Sequence, residues 1–299
     1  MTSLPPSLTS LPPNLLLGSH DSAANQAGPA AGVIMLAWLW AKTQTLSLEK
    51  QYDRGARLFD LRYSYDDKQR KFIVSHTFPT SYTLQGALLE LLASAASKSA
   101  PAVPKFRLKR TWSKDFADNL NTSAVGNTCA GVAADIVIRL KRDNAHPEPL
   151  PAGVSLQDAL SGMSFNGKSF LDYVVLRADT PAANAAKASE NKNARPVLIY
   201  SDNDTPIQDG LSPTYIHGQI FDTVETWQYP KLSDAVKAVK NPVFVNNGLP
   251  KVIFLDYSSW LPPIIASDLL YQQVSASVGQ YIKDGLIQGL VVNNIGKYY

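Results

Sequence analysis

Two histidines, an arginine and an aspartate in the N-terminal part of the chain are suited to chemistry at a phosphate. His20 and Asp21 stand side by side in GSHDS, Arg62 ends ARLFDLR and His76 ends FIVSH. Displacement at a phosphodiester needs a base on one side, an acid on the other, and positive charge on the non-bridging oxygens. Because the ordinary pKa of histidine lies near neutral pH, one imidazole can accept a proton while another donates one. The planar guanidinium of Arg62 can bind two phosphate oxygens at once.

These residues stand at the ends of short apolar segments that we predict to be strands. Candidate strands are Leu15–Leu17, Leu58–Arg62, Phe72–Ser75, Pro104–Leu108, Pro196–Tyr200, Gln219–Val224, Lys251–Asp256 and Gly289–Val292. Candidate helices are Gly32–Arg54, Leu84–Lys98, a stretch within Lys114–Lys141, Leu156–Ala159, Leu232–Lys240 and Ile264–Asp284. Alternating strands and helices predict parallel β/α units. About eight strands in 299 residues predict an α/β fold, a distorted TIM (β/α)8-type barrel.

In such a barrel, the functional groups lie at the C-terminal ends of the strands. Asp60 and Arg62 alternate along the second strand, so their side chains point to the same side. Other polar or aromatic residues near strand ends are Lys109, Tyr200, Ser201, Asp202, Glu225, Trp227, Asp256, Asn293 and Asn294. We expect these residues to meet His20 and His76 at one mouth.

The composition argues against a nucleic-acid-binding protein and against a fold held by disulfides or by a metal on paired cysteines. The formal net charge is only +3, too small to predict nucleic-acid binding, which usually needs clustered Lys and Arg. A weak positive charge is compatible with an anionic lipid surface or a phosphate. The single cysteine, Cys129, permits neither an intrachain disulfide nor a cysteine pair for a metal.

The N-terminal residues 1–13 predict an extended lead-in to one barrel at residues 14–299, because their four prolines forbid a helix. The lead-in has neither positive charge nor a long apolar core, so no signal peptide is visible. The run VIMLAWLW is too short to span a bilayer. We expect a monomer that is secreted or peripheral to a membrane surface.

The segments GSHDS, WAKTQTLSLEKQYDRGARLFDLR and FIVSH closely resemble the catalytic X region of bacterial phosphatidylinositol-specific phospholipase C. The likeness covers roughly Leu15–Thr83 and continues more weakly through FRLKRTW, PVLIY, VETW and GLVVNNIG. The resemblance implies cleavage of phosphatidylinositol to diacylglycerol and inositol 1,2-cyclic phosphate, the first step being a lyase-type intramolecular transfer.

The resemblance also implies roles for the matching residues. His20 matches the general base that takes the proton of the inositol 2-hydroxyl, and His76 matches the general acid that protonates the leaving oxygen. Asp21 matches the acid that accompanies the general-acid histidine, and Arg62 matches the arginine that binds the phosphate. Asp60 and Lys109 match further polar residues at the mouth of the barrel in these enzymes.

A metal and a cofactor are not expected. The animal signalling relatives bind calcium with active-site carboxylates, and the resemblance places Arg62 and Lys109 at two of those positions. Two fixed cations would repel Ca²⁺ and replace its charge. We therefore predict metal-independent activity.

The chain departs from the family pattern at two places. Where the bacterial enzymes orient the general base with an aspartate, this chain aligns Asn294, which can accept a hydrogen bond but carries no charge. Asp256, on the neighbouring strand, is the alternative.

Ser201 aligns with an arginine that contacts the inositol ring, whereas Glu225 matches an inositol-binding acid and Trp227 a stacking aromatic residue. Another phospholipid substrate, or a barrel that binds phosphoinositides without turnover, therefore remains an alternative.

Trp38 and Trp40 in AWLWAK have two interpretations. They either pack a helix onto the barrel, or they contact lipid, because Trp40 matches a tryptophan on a membrane-touching helix of the bacterial enzymes. The expected partner is phosphatidylinositol or a related phospholipid in a membrane surface, and no nucleic acid.

Overall fold

A computed structural model describes the elements that carry most of the candidate residues. The described residues are 15–24, 42–96, 106–107, 133–134, 136–175, 197–201, 208–211, 216–217, 220–246, 249–257 and 261–295. The candidates Lys109, Trp38 and Trp40 lie outside these ranges, as does the lead-in at residues 1–13.

Fifteen strands, five helices and one 3₁₀ helix lie within the described residues. In chain order the strands are β1 (Leu16–Ser19), β2 (Leu58–Asp66), β3 (Lys71–His76), β4 (Phe78–Thr83), β5 (Phe106–Arg107), β6 (Ala133–Ala134), β7 (Ile136–Arg142), β8 (Ser164–Phe165), β9 (Lys168–Ser169), β10 (Val174–Val175), β11 (Val197–Ser201), β12 (Ile216–His217), β13 (Asp222–Glu225), β14 (Lys251–Leu255) and β15 (Gly289–Val292). The helices are α1 (Leu48–Asp53), α2 (Leu84–Ala96), α3 (Leu156–Ser161), α4 (Leu232–Lys240) and α5 (Pro263–Lys283), with a 3₁₀ helix at Phe170–Tyr173.

Eleven strands form one sheet, and eight of them follow the order β10, β11, β7, β2, β1, β15, β14 and β13. Every neighbouring pair in that order is parallel. The short β12 pairs in parallel with β11, and β3 and β4 form an antiparallel hairpin on β2. The α/β class and the parallel sheet predicted from the sequence are therefore confirmed.

The sheet is strongly curled. Five steps between neighbouring strands separate β7 from β13, which in a flat sheet would place them about 24 Å apart at about 4.8 Å per step. Yet the guanidinium of Arg139 on β7 lies 2.8 Å from the carboxylate of Glu225 on β13. The sheet therefore wraps around an interior, as a barrel does.

Alternate residues of the strands pack into two separate apolar layers, as the two-residue period of a strand requires. Leu17, Phe59 and Ile253 join the layer that contains the helix residues, including Val274 of α5. The neighbouring positions in sequence form a second cluster, which lines the interior of the curled sheet. The residues of this interior cluster are Leu16, Leu58, Val137, Leu198, Tyr200, Ile220, Phe221, Val252, Phe254 and Val291.

The helices cover the outside of the sheet through regularly spaced apolar faces. On α5 the buried positions Ala266, Leu270, Val274 and Val278 recur every four residues and so share one face. Full burial of one leucine or valine side chain contributes about 1.5–3 kcal/mol to stability. Within the described residues, no helix is both long and apolar enough to cross a lipid bilayer.

Two sequence predictions about the strands are wrong. Phe72–Ser75 lies in β3, which is antiparallel to β2 rather than a parallel barrel strand. Of Pro104–Leu108, the structure describes only β5, which pairs with β6 outside the main sheet. The parallel neighbour of β2 is instead β7, part of which falls in the stretch where a helix was predicted. The three consecutive β-branched residues at the start of β7 (Ile136, Val137 and Ile138) explain its preference for extended backbone.

Candidate active site

On each strand, every second residue faces the interior of the curled sheet, and we call such a series of residues an interior row. The polar groups of the site lie at the C-terminal ends of these rows. Leu16 faces the interior from β1, and two and four residues later the same row holds Gly18 and His20. On β2 the row runs from Leu58 through Asp60 to Arg62. Rows on the next strands end similarly in polar side chains. These further polar residues are Arg139 and Lys141 on β7, Asp256 after β14 and Asn293 after β15. Each interior row is therefore apolar at its N-terminal end and polar at its C-terminal end.

Gly18 allows two interior rows to approach each other closely. A Cβ atom at this position would lie 2.6 Å from Cγ2 of Val291 and 3.2 Å from Cβ of Leu58. No side chain fits in that space, so β1 can lie between β2 and β15 and bring His20 to its partners.

His20 lies at the centre of the site and is only 2% exposed. Its Nδ1 atom is 3.0 Å from Oδ1 of Asn293 and 3.1 Å from Oδ2 of Asp21. Because the Nδ2 atom of Asn293 donates a hydrogen bond to Ser267, the oxygen of this amide faces the imidazole. An acceptor at this position favours a proton on Nδ1, which leaves Nε2 of neutral His20 as the atom that can take up a proton.

The Nε2 atom of His20 faces charged groups of both signs. Oδ2 of Asp256 is 2.9 Å away, Oδ2 of Asp60 is 3.3 Å away and the Nη2 atom of Arg62 is 2.9 Å away. Burial alone would lower the pKa of His20, but the carboxylates of Asp21 and Asp256 outweigh burial and raise the pKa to about 9.

Asp21 joins both histidines and the arginine. Its Oδ2 atom is 3.1 Å from Nδ1 of His20 and 3.1 Å from Nε2 of His76, while Oδ1 is 2.7 Å from Nε of Arg62. Asp21 adopts a left-handed backbone conformation with φ of 43°, and Thr77, next to His76, does so with φ of 62°. Such conformations are uncommon outside glycine, and they concentrate at functional sites.

Asp60 and Glu225 share the guanidinium of Arg139. The Nη2 atom of Arg139 is 2.8 Å from Oε1 of Glu225, and its Nε atom is 3.9 Å from Oδ1 of Asp60. Burial raises the pKa of Asp60, but Arg139 and His20 outweigh burial, so the pKa lies below the usual value. The other oxygen of Glu225 accepts a hydrogen bond of 2.7 Å from the indole of Trp227, which is 43% exposed.

A cavity of about 310 Å³ opens beside this cluster. The residues that could contact a substrate there include Arg62, His76, Lys141, Trp227, Asp256 and Tyr257. Two cations, an imidazole and an aromatic ring therefore face one space, a combination suited to an anionic group attached to a ring or sugar.

The same cluster offers atoms that could bind a metal. His20, Asp21 and Asp60 each have one ligand atom, and these three atoms lie within 4.8 Å of one another. The guanidinium of Arg62, however, already lies against Asp21 and His20. A divalent cation would therefore have to tolerate a fixed positive charge in direct contact with two of its three ligands.

Most candidate residues predicted from the sequence are brought together by the structure. The grouped residues are His20, Asp21, Asp60, Arg62, His76 and Asp256, with Glu225 and Trp227 beside them.

Two candidates lie elsewhere. Because Tyr200 belongs to the interior row of β11, Ser201 occupies the opposite face of that strand. Asn294 has a left-handed backbone with φ of 56°, and its side-chain oxygen accepts from Thr45. The amide that contacts His20 is instead that of Asn293.

Sequence reasoning missed Arg139 and Lys141. The tetrapeptide RLKR occurs twice, at 107–110 and at 139–142, and the sequence alone predicts that the first copy ends a barrel strand. The second copy follows the β-branched run of β7, and this run is the signal that could have identified it. It is this copy that places Lys141 in the cavity wall beside Arg62.

Comparison with known structures identifies the fold. A pentafluoro-phenylalanine variant of phosphatidylinositol-specific phospholipase C from Staphylococcus aureus matches with a TM-score of 0.52 and 14% identity, over 96% of this chain and 90% of that chain. A second structure of the Staphylococcus aureus enzyme, described under modulation of its membrane binding, matches with a TM-score of 0.50 and 15% identity, over 96% and 87% of the two chains. The enzyme from Listeria monocytogenes matches with a TM-score of 0.49 and 16% identity, over 100% and 94%.

The two Staphylococcus aureus structures show that the chain has the fold of these enzymes, which confirms the distorted barrel predicted from the sequence. The resemblance seen in the motifs is thus confirmed at the level of the fold. No protein-family model matches the sequence, and no curated protein matches it significantly.

Proposed function

We propose that the protein is a phospholipase C-type phosphodiesterase that cleaves phosphatidylinositol without a metal. The contacts of Asp21 carry this proposal, because one carboxylate lies within 3.1 Å of two imidazoles and a guanidinium. A proton acceptor, a proton donor and a phosphate-binding cation are thereby held around one point. The shared fold with phosphatidylinositol-specific phospholipase C supports the same function.

The proposed reaction is an intramolecular displacement at phosphorus. Once His20 has lost its Nε2 proton, which its raised pKa of about 9 places at alkaline pH, this atom accepts the proton of the inositol 2-hydroxyl as that oxygen bonds to phosphorus. The bond from phosphorus to the diacylglycerol oxygen breaks, and protonated His76 supplies a proton to this leaving oxygen. The products are diacylglycerol and inositol 1,2-cyclic phosphate. General acid–base assistance of this kind typically contributes about 10²–10⁴-fold to the rate.

Arg62 and Lys141 are the proposed ligands of the non-bridging phosphate oxygens. Both line the cavity with His76, so a phosphate there would contact positive charge next to the general acid. Lys141 takes the place that the sequence alone assigned to Lys109. Fixed cations stabilise the charge that develops in the transition state without moving during the reaction.

We also propose that the protein acts at a membrane surface as a peripheral protein. Apolar side chains line part of the cavity, and a further, exposed one follows the lining residue Pro263 by two positions. Trp227 and Leu261 line the cavity, and Ile265, near the start of α5, is 49% exposed. Apolar side chains of this kind can contact lipid while the head group enters the cavity. Trp38 and Trp40 remain candidates for the same contact.

A second candidate function is cleavage of a different phospholipid by the same chemistry. It is favoured by Ser201, which the alternation of β11 places away from the interior, so no side chain at this position can contact an inositol ring there. Glu225, the expected inositol ligand, is already engaged by Arg139 and Trp227.

The test uses vesicles of phosphatidylcholine that contain labelled phosphatidylinositol, with EDTA present, and follows the phosphorus products by ³¹P NMR. Cyclic inositol phosphate is the expected product. His20→Gln and His76→Gln should each abolish its release, whereas the matched variant His146→Gln, outside the cavity, should not. Turnover of another phospholipid alone would favour the second candidate, and binding without turnover would contradict both.

A further inference from the structure

A short segment before α1 connects the loop after β1, which contains His20, to the end of β15. The segment consists of Thr43, Gln44 and Thr45, and the first two residues are completely buried. The Nε2 atom of Gln44 donates to the carbonyl of His20 at 2.9 Å and to that of Val292 at 3.1 Å. Its Oε1 atom accepts from the backbone N–H of Ile295 at 3.0 Å. A single side-chain amide therefore joins the loop after β1 to the end of β15.

The two threonines strengthen the same connection. The hydroxyl of Thr43 donates to the carbonyl of Asp21 at 2.9 Å, and the carbonyl of Thr43 accepts from the N–H of Asn294 at 2.8 Å. The hydroxyl of Thr45 donates to Oδ1 of Asn294 at 2.6 Å. Asp21 and Asn294 both have left-handed backbones, with φ of 43° and 56°. Residues in this conformation persist where surrounding contacts hold them.

The loop after β1 and the end of β15 each carry one of the two groups that face Nδ1 of His20. Asp21 belongs to the loop after β1, and Asn293 stands between Val292 and Asn294 after β15. The distance from Nδ1 to Oδ1 of Asn293 therefore depends on how closely the loop is held to β15. A shift of about 1 Å in such a distance can lower a rate by about 10²-fold.

We propose that Gln44 is a positioning residue of the active site, which holds His20 against Asn293 and so fixes the imidazole with its proton on Nδ1. This inference rests on the proposed function, since it matters for catalysis only if Nε2 of His20 is the atom that accepts the proton. Gln44 itself does not contact the cavity; it acts through the backbone of His20 and the end of β15.

Gln51 provides a matched control. It is also completely buried in the same region, and its Nε2 atom donates to the carbonyls of Ser22 and Leu46, each at 2.8 Å. Its oxygen accepts from the hydroxyl of Ser19. None of these contacts reaches β15. Replacing either glutamine by methionine removes comparable buried hydrogen bonds with little change in volume.

The experiment compares Gln44→Met with Gln51→Met by two measurements. In the first, steady-state kinetics on phosphatidylinositol vesicles should show kcat about 10- to 100-fold lower in Gln44→Met, with KM little changed. Gln51→Met should lose far less. Thermal unfolding of both variants measures the stability that each substitution removes, so that the two losses of kcat can be compared at known stability.

The second measurement is an NMR titration of His20 without substrate, which is independent of any activity. The charged groups that face His20 are Asp21, Asp60, Asp256 and Arg62. Gln44→Met should loosen these contacts, so the apparent pKa of His20 should move toward its ordinary value. Above that pKa, the neutral ring should no longer carry its proton only on Nδ1. Gln51→Met should titrate like the unchanged protein.

Either of two results would overturn the proposal: equal losses of kcat in the two variants, or an unchanged titration and tautomer of His20 in Gln44→Met. If the unchanged protein proves inactive, the proposed function fails, while the titration still decides whether Gln44 positions His20. If Gln44→Met does not fold, Thr45→Val replaces it, because this variant removes one hydroxyl from Asn294 and should shift His20 in the same direction by less.

Discussion

The Oδ2 atom of Asp256 lies 2.9 Å from Nε2 of His20, on the side of the imidazole opposite Asn293. Burial would raise the pKa of Asp256, but His20 outweighs burial and lowers the pKa to about 2. With the pKa of His20 raised to about 9, the two groups form an ion pair at neutral pH. Asp256 therefore supplies the charge that an asparagine after the last strand cannot.

The first prediction concerns Asp256→Asn. Without the carboxylate, the imidazolium loses one of its two main stabilising charges, so the pKa of His20 should fall below 9. NMR titration measures this directly, and the rise of kcat/KM with pH should shift to lower pH by the same amount. Asp209→Asn is the control, since Asp209 pairs with Arg142 away from the cavity. An unchanged titration of His20 in Asp256→Asn would contradict the assignment.

The second prediction is a loss of stability at alkaline pH. The pKa of His20 is about 9 in the folded protein and about 6.5 when unfolded, so folding favours the protonated form. The resulting stabilisation is complete below about pH 6.5 and is lost as the pH rises through 9; a shift of this size corresponds to about 3 kcal/mol. Urea unfolding at pH 6 and at pH 10 should show this fall in the free energy of unfolding. His20→Gln should show a clearly smaller fall, and an equal fall would exclude His20 as its source.

Local sequence patterns predicted the site better than they predicted its neighbours. His20, Asp60, Arg62 and Asp256 stand within or just after apolar runs, and the alternation within a strand puts Asp60 and Arg62 on the same face. The register of Asp60 opposite Arg139 joins strands far apart in sequence. Pairing of this kind depends on the whole sheet, so local patterns could not choose between two copies of RLKR or between Asn293 and Asn294.

The third prediction distinguishes the two copies of RLKR. Lys141 lines the cavity beside Arg62, so Lys141→Met should lower kcat/KM by about 10²-fold through the loss of a cation near the phosphate. Lys109→Met, the change that the sequence alone would favour, should cause a much smaller loss. Steady-state kinetics of the two variants on the same vesicles measure both losses. A larger loss of kcat/KM in Lys109→Met would assign the role of the cation near the phosphate to Lys109.

The fourth prediction concerns the strained residue beside His76. Thr77 is β-branched and has φ of 62°, a conformation that asparagine tolerates better than threonine. Thr77→Asn should therefore raise the free energy of unfolding by about 1 kcal/mol. The reverse change, Asn246→Thr, at an exposed position with φ of 57°, should lower it. Denaturant unfolding measures both, and a less stable Thr77→Asn would show that Thr77 makes contacts that outweigh its strain.

The fifth prediction is that chelation leaves the activity unchanged. His20, Asp21 and Asp60 could offer three ligand atoms to a cation, but Arg62 contacts both His20 and Asp21, and its positive charge opposes a second one. The same guanidinium supplies the charge that a metal would otherwise bring to the phosphate. EDTA followed by added Ca²⁺ or Mg²⁺ should therefore alter the rate of cyclic phosphate release little. Arg62→Ala sharpens the test, because removing the guanidinium should lower activity and make the carboxylate cluster a better cation site. Activity that EDTA abolishes and calcium restores in the unchanged protein would show that the cluster binds a metal despite Arg62.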